Sequence, residues 1–293
     1  MKLGQTDINI GHIAFGCWRF AKHDVGTADR LIRTALDAGM NLIDTADIYG
    51  LGEYPDLATK GFGEAETRLG EVLAAAPSLR KQIVLATKGG IDAVRPYDGS
   101  YAYLIKAMDA SLERLQTDYV DLYQIHRPDL TVPWSETARA LNELVSSGKT
   151  RAIGVSNFTV AETRALQAHL DYPIASLQPE FSALEQSPIT DGTLDYAQET
   201  SASVLAWSPL SRGTIPTEDG PVQKVLDVIA KRYGISRSVA ALAFTRGFGA
   251  DVVPIIGTQN PTRISESSYA AQVNLTGREI YDIIETYRGE KMP

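Results

Sequence analysis

The chain has 293 residues, of which 44% are hydrophobic, 22% charged and 8% aromatic, a balance that excludes a disordered, collagen-like or disulfide-stapled protein. Its 28 basic and 36 acidic side chains give a formal charge of -8 with no basic run, which argues against nucleic-acid binding. No apolar signal segment follows Met1, no stretch approaches the roughly 20 apolar residues of a membrane span, and the single cysteine, Cys17, cannot close an internal disulfide, so a cytoplasmic protein without membrane insertion is expected.

Residues 1–11 read as a short hairpin that precedes the first strand. Short apolar, β-rich runs then recur at 13–15, 41–44, 83–88, 121–126, 152–156, 174–178, 203–207 and 252–256. Between them lie helical stripes. Leu31, Ile32, Ala35 and Leu36 stop at Gly39; Tyr101, Leu104, Ile105, Met108, Leu112 and Leu115 follow; Leu141, Leu144 and Val145 stop at Gly148. Val222, Val225, Leu226, Ile229 and Tyr233 come after a first-turn Pro221, and residues 277–287 read as an extra terminal helix. Two long connections stand out, 50–63 and 208–220.

Strands that alternate with helices pair in parallel through right-handed crossovers, so eight of them predict an α/β fold closed into a (β/α)8 TIM barrel. A doubly wound sheet is the alternative. With no linker or break in composition, the expectation is a single barrel domain over 1–293.

Barrel chemistry is assembled from the carboxyl ends of the strands. Those ends carry Asp44, with Tyr49 one turn on, then Lys88, His126, Ser156 with Asn157, Gln178 and Trp207. Singly each has an ordinary structural reading: Asp44 as a turn cap, Lys88 reaching to solvent, His126 as a hydrogen-bonded loop residue, Tyr49 as a packing ring. Together they suggest an acid–base device, because an ammonium beside a phenol stabilises the phenolate and lowers a pKa that is ordinarily about 10.

The segments Asp44-Thr-Ala-Asp-Ile-Tyr49-Gly, Val84-Leu-Ala-Thr-Lys88, Asp121-Leu-Tyr-Gln-Ile-His126-Arg-Pro, Gly154-Val-Ser-Asn-Phe158, Gln178-Pro and Trp207-Ser-Pro-Leu resemble the aldo-keto reductase superfamily, in order, from about Leu3 to about Tyr269. The resemblance implies a barrel oxidoreductase that reduces a small-molecule carbonyl with NADP(H), and that binds the nicotinamide cofactor without a Rossmann domain. It implies Asp44, Tyr49, Lys88 and His126 as the catalytic residues. On the cofactor side it implies Asp44 again, Gly16, Cys17 and Trp18 in the first loop, and Ser156, Asn157 and Gln178 on the carboxamide. Trp207 would stack on the nicotinamide ring, and Ser208, Leu210 and Gly213 would strap the pyrophosphate. Gly257, Thr258, Gln259, Arg263 and Glu266 would hold the adenosine end.

One departure bears on cofactor choice. Members of the family commonly place a lysine beside the arginine that holds the 2′-phosphate, whereas Gln259 and Asn260 fill that stretch here, leaving Arg263 aided by Thr258 and the helix N-terminus. Ser267 stands where an asparagine is usual. Use of NAD(H) alongside NADP(H) is therefore open. The connection 50–63 is longer than the family pattern and should overhang the substrate entrance.

Other chemistries fit less well. The four histidines His12, His23, His126 and His169 form no HxH or HExxH pair for a metal-dependent hydrolase, and Gly154-Val-Ser156-Asn157-Phe158 lacks the second glycine of a nucleophile elbow. A nicotinamide-binding regulatory subunit of a membrane channel, built on the same fold, is the non-enzymatic alternative.

Overall fold

Each apolar run forms a strand in the computed structural model, which describes residues 1–51 and 61–293. The strands are β1 (Ala14–Gly16), β2 (Leu42–Asp44), β3 (Val84–Gly89), β4 (Val120–Ile125), β5 (Thr150–Ser156), β6 (Ile174–Gln178), β7 (Ser203–Ala206) and β8 (Val252–Ile256). All their residues except Arg151 are buried, as strands covered on both faces must be. Among the described residues they pair in chain order, every pair parallel, and β8 returns to β1 to close the barrel. The doubly wound alternative is thereby excluded.

β1 and β3 run one residue beyond the sequence reading, to Gly16 and Gly89, and two strands stop one residue short of it. β4 stops at Ile125, so His126 is the first loop residue, and β7 stops at Ala206, so Trp207 keeps only a bridge to Glu180. In both cases one backbone bond still reaches across, from His126 N–H to the Gly89 carbonyl and from Trp207 N–H to the Pro179 carbonyl, as the chain passes into its loop.

The helices are α1 (Val25–Asp37), α2 (Glu64–Ala75), α3 (Tyr101–Leu115), α4 (Trp134–Ser146), α5 (Val160–Gln167), α6 (Thr193–Thr200), α7 (Thr214–Thr217), α8 (Pro221–Tyr233), α9 (Arg237–Thr245), α10 (Pro261–Ser267) and α11 (Gly277–Arg288). Gly39 and Gly148 take the left-handed conformation expected of helix caps. The connection 208–220 contains α7 and a 3-10 turn at Ser211–Gly213. No sequence stripe marked α9, because all residues from Val239 to Thr245 are buried and the helix has no polar face to set a period. α8 packs on both α9 and α11. Among the described residues no helix is long and apolar enough to cross a membrane.

The barrel interior changes character from floor to mouth. A bridge between Lys2 and Asn9 forms the expected hairpin, and its Leu3, Ile8 and Ile10 share one buried cluster with Ala14, Leu42, Val84, Leu122, Ala152, Leu205 and Val253. This apolar plug seals the floor. One inward step further along the strands the residues become polar: Asp44, Lys88 beside Gln124, and Ser156 beside Gln178. A Cβ on Gly154 would stand 2.2 Å from Ser176 Oγ, so only glycine leaves room for the Ser176 hydroxyl to donate to Gln124 Oε1 at 3.2 Å.

Candidate active site

Lys88 is the hub of the mouth. Its Nζ donates to Asp44 Oδ2 at 2.7 Å, to the Thr45 carbonyl at 2.8 Å and to Tyr49 Oη at 3.2 Å, which places all three ammonium donors. The side chain is 0% exposed and its partner Asp44 only 3%. Asp44 uses its second oxygen to accept from Gln178 Nε2 at 3.0 Å. A buried ion pair is tolerated when its remaining hydrogen-bonding positions are filled, as they are here. The backbone fixes the same geometry: Tyr49 N–H donates to the Ala46 carbonyl, and its own carbonyl accepts from Ala65 at the start of α2.

Tyr49 is flanked by rings. Trp18 stacks at 6.2 Å between centroids and His126 meets it edge-on at 5.9 Å. The four side chains Asp44, Tyr49, Lys88 and His126, drawn from the ends of three strands, thus meet in one cluster.

Burial alone would lower the Lys88 pKa, but Asp44 and Tyr49 outweigh it and raise the ammonium above its ordinary value, so it stays charged. For Tyr49 the sequence expectation needs correction. Burial pushes the phenol up, Lys88 pulls it down, and the net direction is upward because Asp44 blunts the ammonium's field. Tyr49 is therefore a firmly protonated phenol with a cation against its oxygen. Burial first, then Lys88 and Arg127, push the His126 imidazole well below its usual range, so it is neutral. Its Nδ1 is buried without a partner among the described residues. An N–H there would lack an acceptor, which assigns the ring proton to Nε2. The Cys17 thiol is raised by burial and by Asp44, which makes it a packing group with no nucleophilic thiolate.

The other singled-out residues form a continuous rim. Trp207 Nε1 donates to Asn157 Oδ1 at 2.9 Å, and Asn157 Nδ2 donates to the His126 carbonyl at 3.2 Å and to Ser156 Oγ at 2.8 Å. Ser156 Oγ in turn donates to the Gln178 carbonyl at 2.9 Å. Asn157 holds this position with a left-handed backbone, φ 59°. Gly16 lies tight against β8, with a Cβ there standing 3.1 Å from Ile255 Cγ2, and the backbone N–H of Cys17 donates to the Asp44 carbonyl. Trp18 is 56% exposed beside Tyr49.

Ser208, Leu210 and Gly213 lie in the loop after β7, where Ser208, Ser211 and Arg212 all have positive φ. Gly257, Thr258 and Gln259 follow β8, with Arg263 and Glu266 on α10. The expected help from the helix N-terminus is not free, because Asn260 Oδ1 already accepts from the backbone N–H of Thr262 and of Arg263. Ser267 turns its hydroxyl back to the Arg263 carbonyl at 2.7 Å. Of the long connection 50–63, residues 52–60 lie outside the described residues.

Some members of the site were not singled out from sequence. Gln124, the β4 residue that pairs with Lys88, receives bonds from both Ser176 and Gln178. Its period-two position in an apolar run was a usable signal. Behind β3, Thr87 donates to Glu66, which Arg114 also holds at 2.7 Å. Asp47 lies beside this group with both carboxyl oxygens buried and, among the described residues, without a side-chain hydrogen-bond partner, and burial together with Glu66 raises its pKa well above the usual carboxylate range. Nothing in the sequence distinguished Asp47 from a loop acid.

The comparisons agree with this geometry. Residues 12–288 match the model of the Aldo/keto reductase family. A 6-dehydroglucose reductase of Novosphingobium aromaticivorans is 45% identical, over 100% of this chain and 96% of its own length. Among solved structures, the thermostable aldo-keto reductase Tm1743 in complex with the inhibitor epalrestat superposes with a TM-score of 0.83 at 26% identity, covering 98% of each chain. An aldo-keto reductase of Klebsiella pneumoniae in complex with NADPH gives a TM-score of 0.77 at 26% identity, covering 95% of this chain and 91% of that one. The channel-subunit alternative gains no support from these relatives. A closed parallel barrel, a Lys88-centred cluster in its mouth and a match over nearly the whole length lead to one assignment: the chain is an oxidoreductase of the aldo/keto reductase family.

Proposed function

We propose that this protein reduces the carbonyl group of a dehydro sugar, or a close hydroxylated analogue, with NADP(H), and that Tyr49 is the general acid. The observation that carries the acid assignment is the contact of Lys88 Nζ with both Asp44 and Tyr49 in a buried position. The substrate class rests on the name of the relative that is 45% identical over the full chain. It also fits a rim that mixes an exposed aromatic, Trp18, with the charged pair Arg212–Glu180 at 3.4 Å.

The residues present fit a nicotinamide cofactor. Positions that a Cβ would occupy at Gly213 and Gly257 have nothing within 4 Å, the Trp207 indole is fixed by Asn157, and Arg263 is exposed with no ion pair among the described residues. Ser156, Asn157 and Gln178 would hold the carboxamide, Trp207 would stack on the ring, and Ser208, Leu210, Gly213, Gly257, Thr258, Gln259, Arg263 and Glu266 would follow the rest of the molecule. When bound and reduced, the nicotinamide supplies hydride to the carbonyl carbon. The charge that develops on the carbonyl oxygen is met by two groups of the chain: Tyr49 transfers its phenolic proton, and His126 Nε2–H donates a hydrogen bond that orients the carbonyl. Lys88 stabilises the phenolate left behind, and Asp44 keeps Lys88 in place.

Steady-state assays with purified protein, 6-dehydroglucose and NADPH, run beside an NADH series, test the reading. Reduction of the sugar with a preference for NADPH is expected. Failure to reduce it while simple aldehydes turn over would refute the substrate class, and failure with every carbonyl compound would refute the activity.

Arg263 is the side chain expected to pair with a 2′-phosphate. A charge-assisted hydrogen bond to such a group contributes about 1.5–3 kcal/mol, roughly one to two decades in affinity. Arg263→Ala should weaken NADPH binding by about that factor in a fluorescence titration and leave NADH binding nearly unchanged. Equal losses for both cofactors would show that Arg263 does not read the phosphate.

A further inference from the structure

The loop after β8 lacks the lysine that usually accompanies its arginine, and the structure brings another ionisable group to that loop from a distant part of the chain. His23 Nε2 lies 2.9 Å from Gln259 Oε1, a contact across 236 residues of sequence. His23 follows the 3-10 turn Phe20–Lys22 in the connection between β1 and α1, and β1 is the strand that pairs with β8. Its imidazole meets the ring of the fully buried Phe20 edge-on at 6.2 Å, which anchors it on the barrel. Gln259 is held from the other side, where its Nε2 donates to the Gly257 carbonyl at 3.1 Å. The neighbouring carboxylate Asp24 is the N-cap of α1, accepting from Thr27 N at 2.7 Å, and its charge lies within reach of the His23 ring.

We infer that His23 is a second reader of the cofactor's 2′-phosphate, placed by Gln259 on the loop that carries Arg263 and standing in for the missing lysine. This rests on the NADP(H) reading given above. The donor inventory of the loop supports it. The backbone N–H groups of Thr262 and Arg263 are taken by Asn260 Oδ1, and Thr258 Oγ1 accepts from Asn260 N–H while keeping its own O–H to donate, so the only charged side chain that the segment 257–264 offers a phosphate is the Arg263 guanidinium. A ribose 2′-phosphate carries close to two negative charges near neutral pH and offers three acceptor oxygens, more than one guanidinium fork satisfies. An imidazolium carries two ring N–H donors, one for Gln259 Oε1 and one for a phosphate oxygen. Gln259 then accepts from one ring nitrogen and leaves the other to donate.

The test uses two probes that differ only in the phosphate, 2′,5′-ADP and 5′-AMP, titrated calorimetrically into the wild-type protein and into His23→Ala and His23→Glu. Wild type should prefer 2′,5′-ADP. His23→Ala should lower its affinity for 2′,5′-ADP about tenfold, the low end for a charged hydrogen bond, and leave 5′-AMP unchanged. His23→Glu should lower it further, and His23→Lys should restore it. Unchanged 2′,5′-ADP affinity in both the alanine and the glutamate variant, or equal losses for the two probes, would overturn the assignment and leave His23 as a structural link between loops. A wild-type protein that does not discriminate between the probes would overturn the NADP(H) reading itself, and the role of His23 with it.

Discussion

Tyr49→Phe is expected to lower turnover in carbonyl reduction by at least about a hundredfold, the usual scale of general acid catalysis, while cofactor affinity stays nearly unchanged. The substitution removes one oxygen and its proton. The ring remains, and with it the stacking on Trp18 and the edge contact with His126. Lys88 keeps two of its three partners, Asp44 Oδ2 and the Thr45 carbonyl, so the buried pair is not broken. No neighbour can take over the acid's work: burial and Lys88 hold His126 neutral, and the Lys88 ammonium is held charged by Asp44. A kcat measured at saturating cofactor, with a fluorescence titration of cofactor binding alongside, separates the chemical step from binding. Turnover close to wild type would remove Tyr49 from the role of acid. A loss confined to KM would make its hydroxyl a substrate-binding group instead.

The sequence was most readable where physics acts along the chain. Strands buried on both faces must be short apolar runs, and every such run became a strand, from Ala14–Gly16 to Val252–Ile256. Strand parity also carried the site, because Asp44 and Lys88 end runs whose earlier same-face residues, Leu42, Val84 and Ala86, are barrel core. What stayed hidden depends on contacts between distant segments. The His23–Gln259 contact spans 236 residues, and no local pattern announces it. Asp47 and Glu66 are ordinary acids in a one-dimensional reading, and only the packing of α2 and α3 against β3 buries them. The direction of the Tyr49 shift is hidden from the sequence for the same reason. The ammonium was visible in the sequence, but the depth of burial that opposes it was not.

Lys88→Met should affect both stability and chemistry, and a second substitution can separate the two. Methionine matches the length of the lysine stem but leaves the 3%-exposed Asp44 without its counter-charge, and removal of one partner of a buried pair costs about 3–5 kcal/mol. A lowered urea midpoint is therefore expected. Turnover should fall at least about a hundredfold, because the phenolate left after proton transfer has lost its stabilising cation. The pH profile carries the sharper sign. In carbonyl reduction the basic limb reports loss of the acid's proton, and Lys88 is the group that holds the Tyr49 pKa down against burial. Without Lys88 the phenol keeps its proton to higher pH, so any surviving activity should show its basic limb displaced upward. The double variant Asp44→Asn/Lys88→Met contains no unpaired buried charge and still offers Gln178 Nε2 an acceptor, so it should regain much of the lost stability. It should regain none of the turnover. Recovery of activity together with stability would mean that Lys88 serves only to neutralise Asp44, and a basic limb that stays in place would mean that the ammonium does not act on the proton of Tyr49.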